Sequence, residues 1–225
     1  MANEITSETV KGYGFDAGAD VVGIASASDF SPAPEGFKPA DGLEGCLSVV
    51  VFGAASPREA LLGTNAEYTE FRKEMIEKIN GIAKNVEKRI KKDGYKARYI
   101  GGFGGKHIDG HMFGLVSLKH AAEIAGLGVI GKNYLVINPE YGTLLWFSGI
   151  LTDAGLVPDE RFKDAICENC DKCVEVCPVN ALGEHSSFRK RECGNNAFKL
   201  ANKKFSVECF LCRKVCPYRF GKYST

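Results

Sequence analysis

Eight of the nine cysteines in this 225-residue chain lie between Cys167 and Cys216. The first run reads Cys167-Glu-Asn-Cys170-Asp-Lys-Cys173-Val-Glu-Val-Cys177-Pro178, the second Cys209-Phe-Leu-Cys212-Arg-Lys-Val-Cys216-Pro217, and Cys193 stands alone between them. The first run has the C-x2-C-x2-C-x3-C-P spacing in which three thiolates close on one iron–sulfur cubane and the fourth serves the other cluster. Two-residue gaps let a tight loop wrap the cubane while backbone N–H groups point at its sulfurs. The fourth cysteine has by then turned away. Two [4Fe-4S] clusters are therefore expected, one on Cys167, Cys170, Cys173 and Cys216, the other on Cys177, Cys209, Cys212 and a fourth ligand. An unbroken repeat of the first run would put that ligand at position 206, where Ser206 stands, so Cys193 takes the role. Zinc ribbons use two separated C-x2-C pairs, and disulfide frameworks belong to oxidising compartments. Neither matches three cysteines at two-residue gaps followed by a Cys-Pro partner.

The remaining length allows one sizeable domain in front of a small cluster domain, with a boundary near residue 160, and 44% hydrophobic residues can fill a core. With 29 basic and 28 acidic side chains the formal charge is +1, which leaves no overall electrostatic footprint for nucleic acid. No basic and apolar leader opens the sequence, and no apolar run has the ~18 residues of a membrane span. The expectation is a cytoplasmic protein without membrane or nucleic-acid partners, in which cysteines bind metal. Exposed cubanes are oxygen-sensitive, which points to an anaerobic host.

Along the chain, Ile5 to Gly18 reads as a helix capped at Thr6 or Ser7, and Val21 to Ala25 as a short strand. Ser31 to Gly42 reads as a Pro- and Gly-broken loop, and Leu47 to Phe52 as a buried strand. Cys46, at the mouth of that strand, reads as a core residue. Tyr68, Phe71, Met75, Ile79, Ile82, Val86 and Ile90 recur at three- and four-residue steps, which predicts a helix over about Glu67 to Lys92, ended by Gly94. Lys96 to Ile100 returns as a strand, a strand–helix–strand order suited to an α/β or α+β sandwich.

Gly101-Gly-Phe-Gly-Gly105 follows, with His107, Asp109 and His111 close behind, a loop of the kind that lets backbone approach a ligand. Val116 to Ile124 reads as a helix. Gly126-Leu-Gly128-Val-Ile-Gly131 fits G-x-G-x-x-G, but that fingerprint needs a strand before it and a helix after it. Here an alanine-rich helix precedes and a hairpin is predicted to follow, with strands Leu135 to Asn138 and Thr143 to Leu151.

Ala125-Gly-Leu-Gly128, Gly131-Lys132, Ile137-Asn-Pro-Glu-Tyr-Gly142 and Leu151-Thr-Asp153, followed by both cysteine runs and Cys193, resemble the epoxyqueuosine reductase family. More distantly the arrangement is similar to corrinoid reductive dehalogenases. Ala19-Asp-Val-Val-Gly-Ile-Ala25 and Cys46-Leu-Ser-Val-Val-Val51 look like that family's first two core strands. The resemblance implies an α+β fold: a nitroreductase-like, cobalamin-binding-type α/β sandwich over residues 1–160, with a double [4Fe-4S] ferredoxin-like domain over 161–225. It also implies that Gly128, Gly131 and Lys132 lie near a corrin. The family's proton-donating aspartate falls at Met112 in an ungapped alignment, which leaves Asp109 and His111 as the candidate catalytic residues. The tRNA-reducing members continue into helical repeats, but this chain ends soon after Cys216; with its balanced charge, the expected substrate is a small molecule or corrinoid, not tRNA.

Three functions share the clusters: a cobalamin-linked reductase fed by a ferredoxin or flavodoxin, an electron carrier or redox-complex subunit, and a core that binds flavin or nothing, since folds of this type serve several chemistries. A simple ferredoxin has no need of about 160 residues ahead of its clusters. The reductase is therefore the expected function.

Overall fold

The computed structural model describes residues 4–102, 106–108, 111–164, 166–183, 188–202 and 204–221. In chain order the elements are α1 (Ser7–Asp16), β1 (Val21–Ser26), α2 (Pro39–Gly42), β2 (Ser48–Ala55), α3 (Glu59–Leu62), α4 (Asn65–Lys92), β3 (Ala97–Ile100), β4 (Lys106–Ile108), β5 (His111–Phe113), α5 (Leu118–Ile124), β6 (Val129–Ile130), β7 (Val136–Ile137), β8 (Leu145–Thr152), α6 (Lys172–Glu175), α7 (Lys190–Ala197), β9 (Phe198–Ala201), β10 (Lys204–Val207) and α8 (Leu211–Lys214). They divide into two compact units. The first takes residues up to Ala54, Ile76–Leu127 and Trp146–Phe162; the second takes Ala55–Met75, Gly128–Leu145 and the chain from Lys163 onward.

Helix α4 forms where the apolar stripe predicted it. Its start is a capping box: the Thr64 N–H donates to Glu67 Oε2 at 2.7 Å, and the Glu67 N–H donates to Thr64 Oγ1 at 3.3 Å. The Thr64 N–H and the Thr64 hydroxyl, which donates to the same Oε2 at 2.8 Å, hold the Glu67 carboxyl below its usual pKa, with the backbone bond the larger cause. Arg89, Lys91 and Lys92 fill its last turn, where cations oppose the helix dipole. Gly94, at φ +95°, ends it. Among the described residues no helix is long and apolar enough to cross a membrane.

In the first unit a four-stranded sheet runs β1-β2-β8-β3. Strand β1 pairs antiparallel with β2 from Val21 opposite Gly53 to Ser26 opposite Ser48, and β3 pairs antiparallel with β8 from Ala97 opposite Thr152 to Ile100 opposite Gly149. Strand β2 is buried from Ser48 to Ala54, the burial that its continuous apolar run requires. Buried Ser48 ties the sheet to the segment beyond β8: its Oγ donates to the Ala154 carbonyl at 2.8 Å and accepts the Leu156 N–H at 3.0 Å. Helix α1, capped by Thr6 Oγ1 accepting the Thr9 N–H, lays Gly14 against Val22 and Phe52, where a Cβ would come within 2.7 Å of Val22 Cγ2. Cys46 is buried, its thiol donating to the Ser48 carbonyl, in keeping with a core role.

Two expectations need correction. Residues 135–138 and 143–151 do not form a hairpin: β7 pairs with β6, Val129 opposite Ile137, and the turn after it closes only on a bridge between Asn138 and Gly142. Strand β8 instead lies between β2 and β3, so β2 and β3 are not neighbours as a simple strand–helix–strand unit would make them. The physical reason is burial: Ser148 to Thr152 are buried at consecutive positions and hence on both faces, which suits an interior strand with covered faces and not one arm of a surface hairpin. The segment read as a loop before Leu43 also contains one short helical turn, α2, started by Pro39.

Candidate metal centre

Within the second unit the two cysteine runs adopt one local structure twice, thirty-nine residues apart. The Val174 N–H donates to the Asp171 carbonyl, Cys177 to Val174 and Asn180 to Cys177; in the second run Arg213 donates to Phe210, Cys216 to Arg213 and Arg219 to Cys216. One helical turn, α6 or α8, carries the cysteine that precedes the x3 gap in each run, Cys173 or Cys212. The residue after it, Val176 or Val215, is still helical at φ −83° and −84°. The x3 gap is thus one turn of helix, which carries Cys177 and Cys216 away from their own loops.

Cys167, Cys170, Cys173 and Cys216 line a single cavity, together with Asn133, Pro217 and Tyr218. These are the four thiols expected to share one cluster, and the fourth comes from the far run. The loop from Gly131 supports them. Lys132 donates its backbone N–H to Cys167 Sγ at 3.4 Å and its Nζ pairs with Asp171 Oδ1 at 2.6 Å, which raises the Lys132 pKa chiefly through that hydrogen bond. A Cβ on Gly131 would sit 3.3 Å from Cys167 Sγ and 2.6 Å from Ile137 Cδ1. At Gly128, φ +144°, it would sit 2.4 Å from the Ile137 carbonyl oxygen. The three residues that the resemblance places near a corrin therefore pack on β7 and the first cysteine loop.

In the second set, Cys193 and Cys209 lie near enough to Cys212 for their charges to raise its pKa, as does Cys173 of the first set. The sulfur of Cys177 accepts the Ala181 N–H at 3.2 Å; its membership of the second set rests on spacing. Ser206, at the position of the missing repeat cysteine, lies in β10 and donates from Oγ to Glu208 Oε1 at 2.5 Å. Among the described residues no three His, Cys, Asp or Glu side chains converge on a single-ion site.

Burial controls these thiols. It pushes Cys212 up to about 12 and Cys216 up to about 11, with neighbouring cysteines adding to the rise, and it raises Cys173 as well. Metal binding must remove those protons. An ordinary thiol is ionised above pH ~9, so its pH-dependent contribution to metal affinity ends there. Here the sign is the same but the window is wider: iron affinity should keep rising with pH through 8 to 10, by about tenfold per pH unit for each of Cys212 and Cys216. Competition with a chelator across that range measures it, and a plateau by pH 9 would be inconsistent with buried thiols.

Other candidates fall elsewhere. Strands β4 and β5 pair antiparallel with His107 opposite Met112 and Ile108 opposite His111; Asp109 lies outside the described residues. Sequence reasoning missed Asn133 and Tyr218. Asn133 is buried and its Oδ1 accepts the Leu135 N–H at 3.1 Å, an Asx-type turn that its place after Gly131-Lys132 could have signalled. Nothing local signalled Tyr218.

No protein-family model matches the chain. An epoxyqueuosine reductase from Staphylococcus aureus is 31% identical over 120 residues, 48% of this chain and 31% of that protein. One from Lactococcus garvieae is 25% identical over 223 residues, 88% of this chain and 59% of that protein. The chain thus spans less than two thirds of either. The solved epoxyqueuosine reductase of Streptococcus thermophilus matches with a TM-score of 0.65 at 20% identity, over 94% of this chain and 65% of that one. A reductive dehalogenase whose structure suggests a B12-dependent mechanism matches with a TM-score of 0.63 at 21% identity, over 92% of this chain and 28% of that one. At those identities the two structures show a common fold. The chain is thus similar in sequence to epoxyqueuosine reductases and shares their fold along most of its described length.

Proposed function

We propose that this chain is a cytoplasmic iron–sulfur oxidoreductase that passes electrons through two [4Fe-4S] clusters to a corrinoid or small-molecule substrate bound by its N-terminal core. The observation that carries the proposal is the cavity ringed by Cys167, Cys170, Cys173 and Cys216. A cubane takes each thiolate on a different iron, so its ligands ring a space instead of converging on one point. Cys177, Cys193, Cys209 and Cys212 would hold the second cluster, in a ferredoxin-like domain over residues 161–225.

Once bound, such a cluster takes up and releases one electron at a time. The chain's own part is to position and to tune. The N–H groups of Lys132 and Ala181 aim at Cys167 and Cys177 sulfurs, which offsets negative charge and favours the reduced state. Burial of Cys173 and Cys216 keeps water from those sulfurs. The charge of Cys173, which adds to the rise in the Cys212 pKa, supports a short path between the two cysteine sets, which suits electron exchange between them.

Cobalamin enters this proposal from the relatives. The smallness of Gly128 and Gly131 is already required by Ile137 and Cys167, so these glycines are accounted for without a corrin. Asp109 or His111 would supply a proton to the substrate, His having a pKa near neutral pH. A ferredoxin or flavodoxin would supply electrons. The test is anaerobic incubation of the iron-loaded protein with hydroxocobalamin and reduced flavodoxin. Stoichiometric retention and reduction of cobalt, read by electron paramagnetic resonance, is the expected result. Iron without cobalt retention would leave an electron-transfer protein.

A further inference from the structure

Asn133 lines the first cavity beside its four cysteines, and it is only 5% exposed. Its Oδ1 accepts the Leu135 N–H at 3.1 Å, and among the described residues that is the one hydrogen bond its side chain makes. The bond assigns the two branches of the amide: the oxygen serves the turn, and the NH2 group, with its two donors, takes the other branch. A Cβ built on Gly131 would lie 3.2 Å from Asn133 Oδ1 and 3.3 Å from Cys167 Sγ. The amide and the first ligand sulfur therefore both face the side of Gly131 that any larger residue would fill.

A turn of this kind needs only an acceptor on a short side chain, which Asp, Ser or Thr supplies as well as Asn. The turn alone therefore does not require an amide. What Asn adds is two N–H donors without a negative charge. Buried donors are costly unless an acceptor meets them. Sulfur is the acceptor that this cavity offers in quantity, since four thiols ring it. A carboxylate in the same place would make the turn but would repel the thiolates that hold a cluster.

We propose that the Asn133 carboxamide donates an N–H···S hydrogen bond to a sulfur of the first cluster and thereby raises the reduction potential of that cluster. The inference rests on the iron–sulfur reading above and assigns a tuning group within it. Reduction adds negative charge that spreads onto the sulfurs, so a donor aimed at them binds the reduced form more strongly than the oxidised form. Hydrogen bonds to sulfur are one of the means by which a protein sets a cluster's potential. The Lys132 backbone N–H acts on Cys167 in the same sense, but that donor belongs to the main chain and stays whatever side chain follows it. Asn133 is a donor that substitution can remove.

The test uses the full chain, loaded anaerobically and reduced with dithionite. Protein grown on asparagine labelled with 15N in the side-chain amide should show a weak 15N coupling to the reduced cluster by pulsed electron paramagnetic resonance. Asn133→Ser should abolish that coupling while keeping about eight irons, because the serine hydroxyl still accepts the Leu135 N–H. In a dithionite titration the same variant should make the reduction equilibrium of one cluster about tenfold less favourable, which is ~59 mV for one electron, and leave the other cluster at its wild-type potential. A role confined to the turn predicts no change in either potential. Absence of the 15N coupling from the unsubstituted protein, or its survival in Asn133→Ser with both potentials unchanged, would overturn the hydrogen bond and leave the clusters standing. A reduced protein with no cubane signal at all would overturn the iron–sulfur reading and this inference with it.

Discussion

Replacing Cys193 with serine is expected to halve the iron content of anaerobically purified protein, from about eight atoms per chain to about four. The two cysteine runs repeat at a spacing of thirty-nine residues down to individual backbone hydrogen bonds, and at that spacing the partner of Cys167 is Ser206. Ser206 sits in β10 opposite Lys199 with its hydroxyl on Glu208, so a strand occupies the place of a ligand loop. Cys193, one turn into α7, lies near Cys212. A serine at 193 keeps the approximate size but replaces the thiolate ligand with a neutral hydroxyl. The first cavity does not use Cys193, so its four irons should remain. Eight irons in the variant would move the fourth ligand elsewhere.

Replacing Gly142 with alanine should cost about 2–4 kcal/mol of stability, combining left-handed backbone strain with overpacking. Gly142 has φ +58°, and a Cβ there would come within 2.2 Å of the Tyr218 carbonyl oxygen and 2.4 Å of the Gly221 nitrogen. Gly221, at φ +97°, meets the Glu140 carbonyl in the same way. These neighbours are backbone and cannot swing aside. The Thr143 N–H donates to the Arg219 carbonyl at 3.1 Å, so displacing this turn pulls on the segment just after Cys216. The variant should therefore release iron from the first cavity sooner than from the second set, besides unfolding at lower denaturant. Gly12→Ala is the control: nothing lies within 4 Å of a Cβ there, and alanine in a helix is more favourable than glycine by ~1 kcal/mol. Equal loss in both variants would mean that the contact between the Gly142 turn and the chain after Cys216 carries no special load.

How much of this was legible in the sequence depends on how local each constraint is. The first thiol cavity was, because ligand spacing along a chain fixes which thiols can meet a cubane before any fold is known. Helix α4 was legible because its apolar stripe is long; α1 showed its cap at Thr6. Strand β8 was not. Its apolar run was read with its sequence neighbour β7, but burial on both faces sends it between β2 and β3, a choice made by distant residues. The G-x-G pattern at 126–128 has a packing reason that its local sequence does not show: Gly126, at φ +73°, lies where a Cβ would be 2.2 Å from the Glu160 carbonyl oxygen. The β9–β10 hairpin was missed despite a readable signal. Phe198-Lys-Leu-Ala and Lys204-Phe-Ser-Val alternate on either side of Asn202, which takes φ +51° in the turn.

The central claim is that the eight clustered cysteines hold two cubanes. The most direct measurement is iron and acid-labile sulfide per chain, with Mössbauer spectra of the anaerobically isolated protein before and after reduction by dithionite. Two [4Fe-4S] clusters predict about eight irons and eight sulfides per chain, all the iron in cubane sites, with both clusters open to one-electron reduction. One or two zinc ions with no sulfide, or iron in mononuclear sites, would contradict the account.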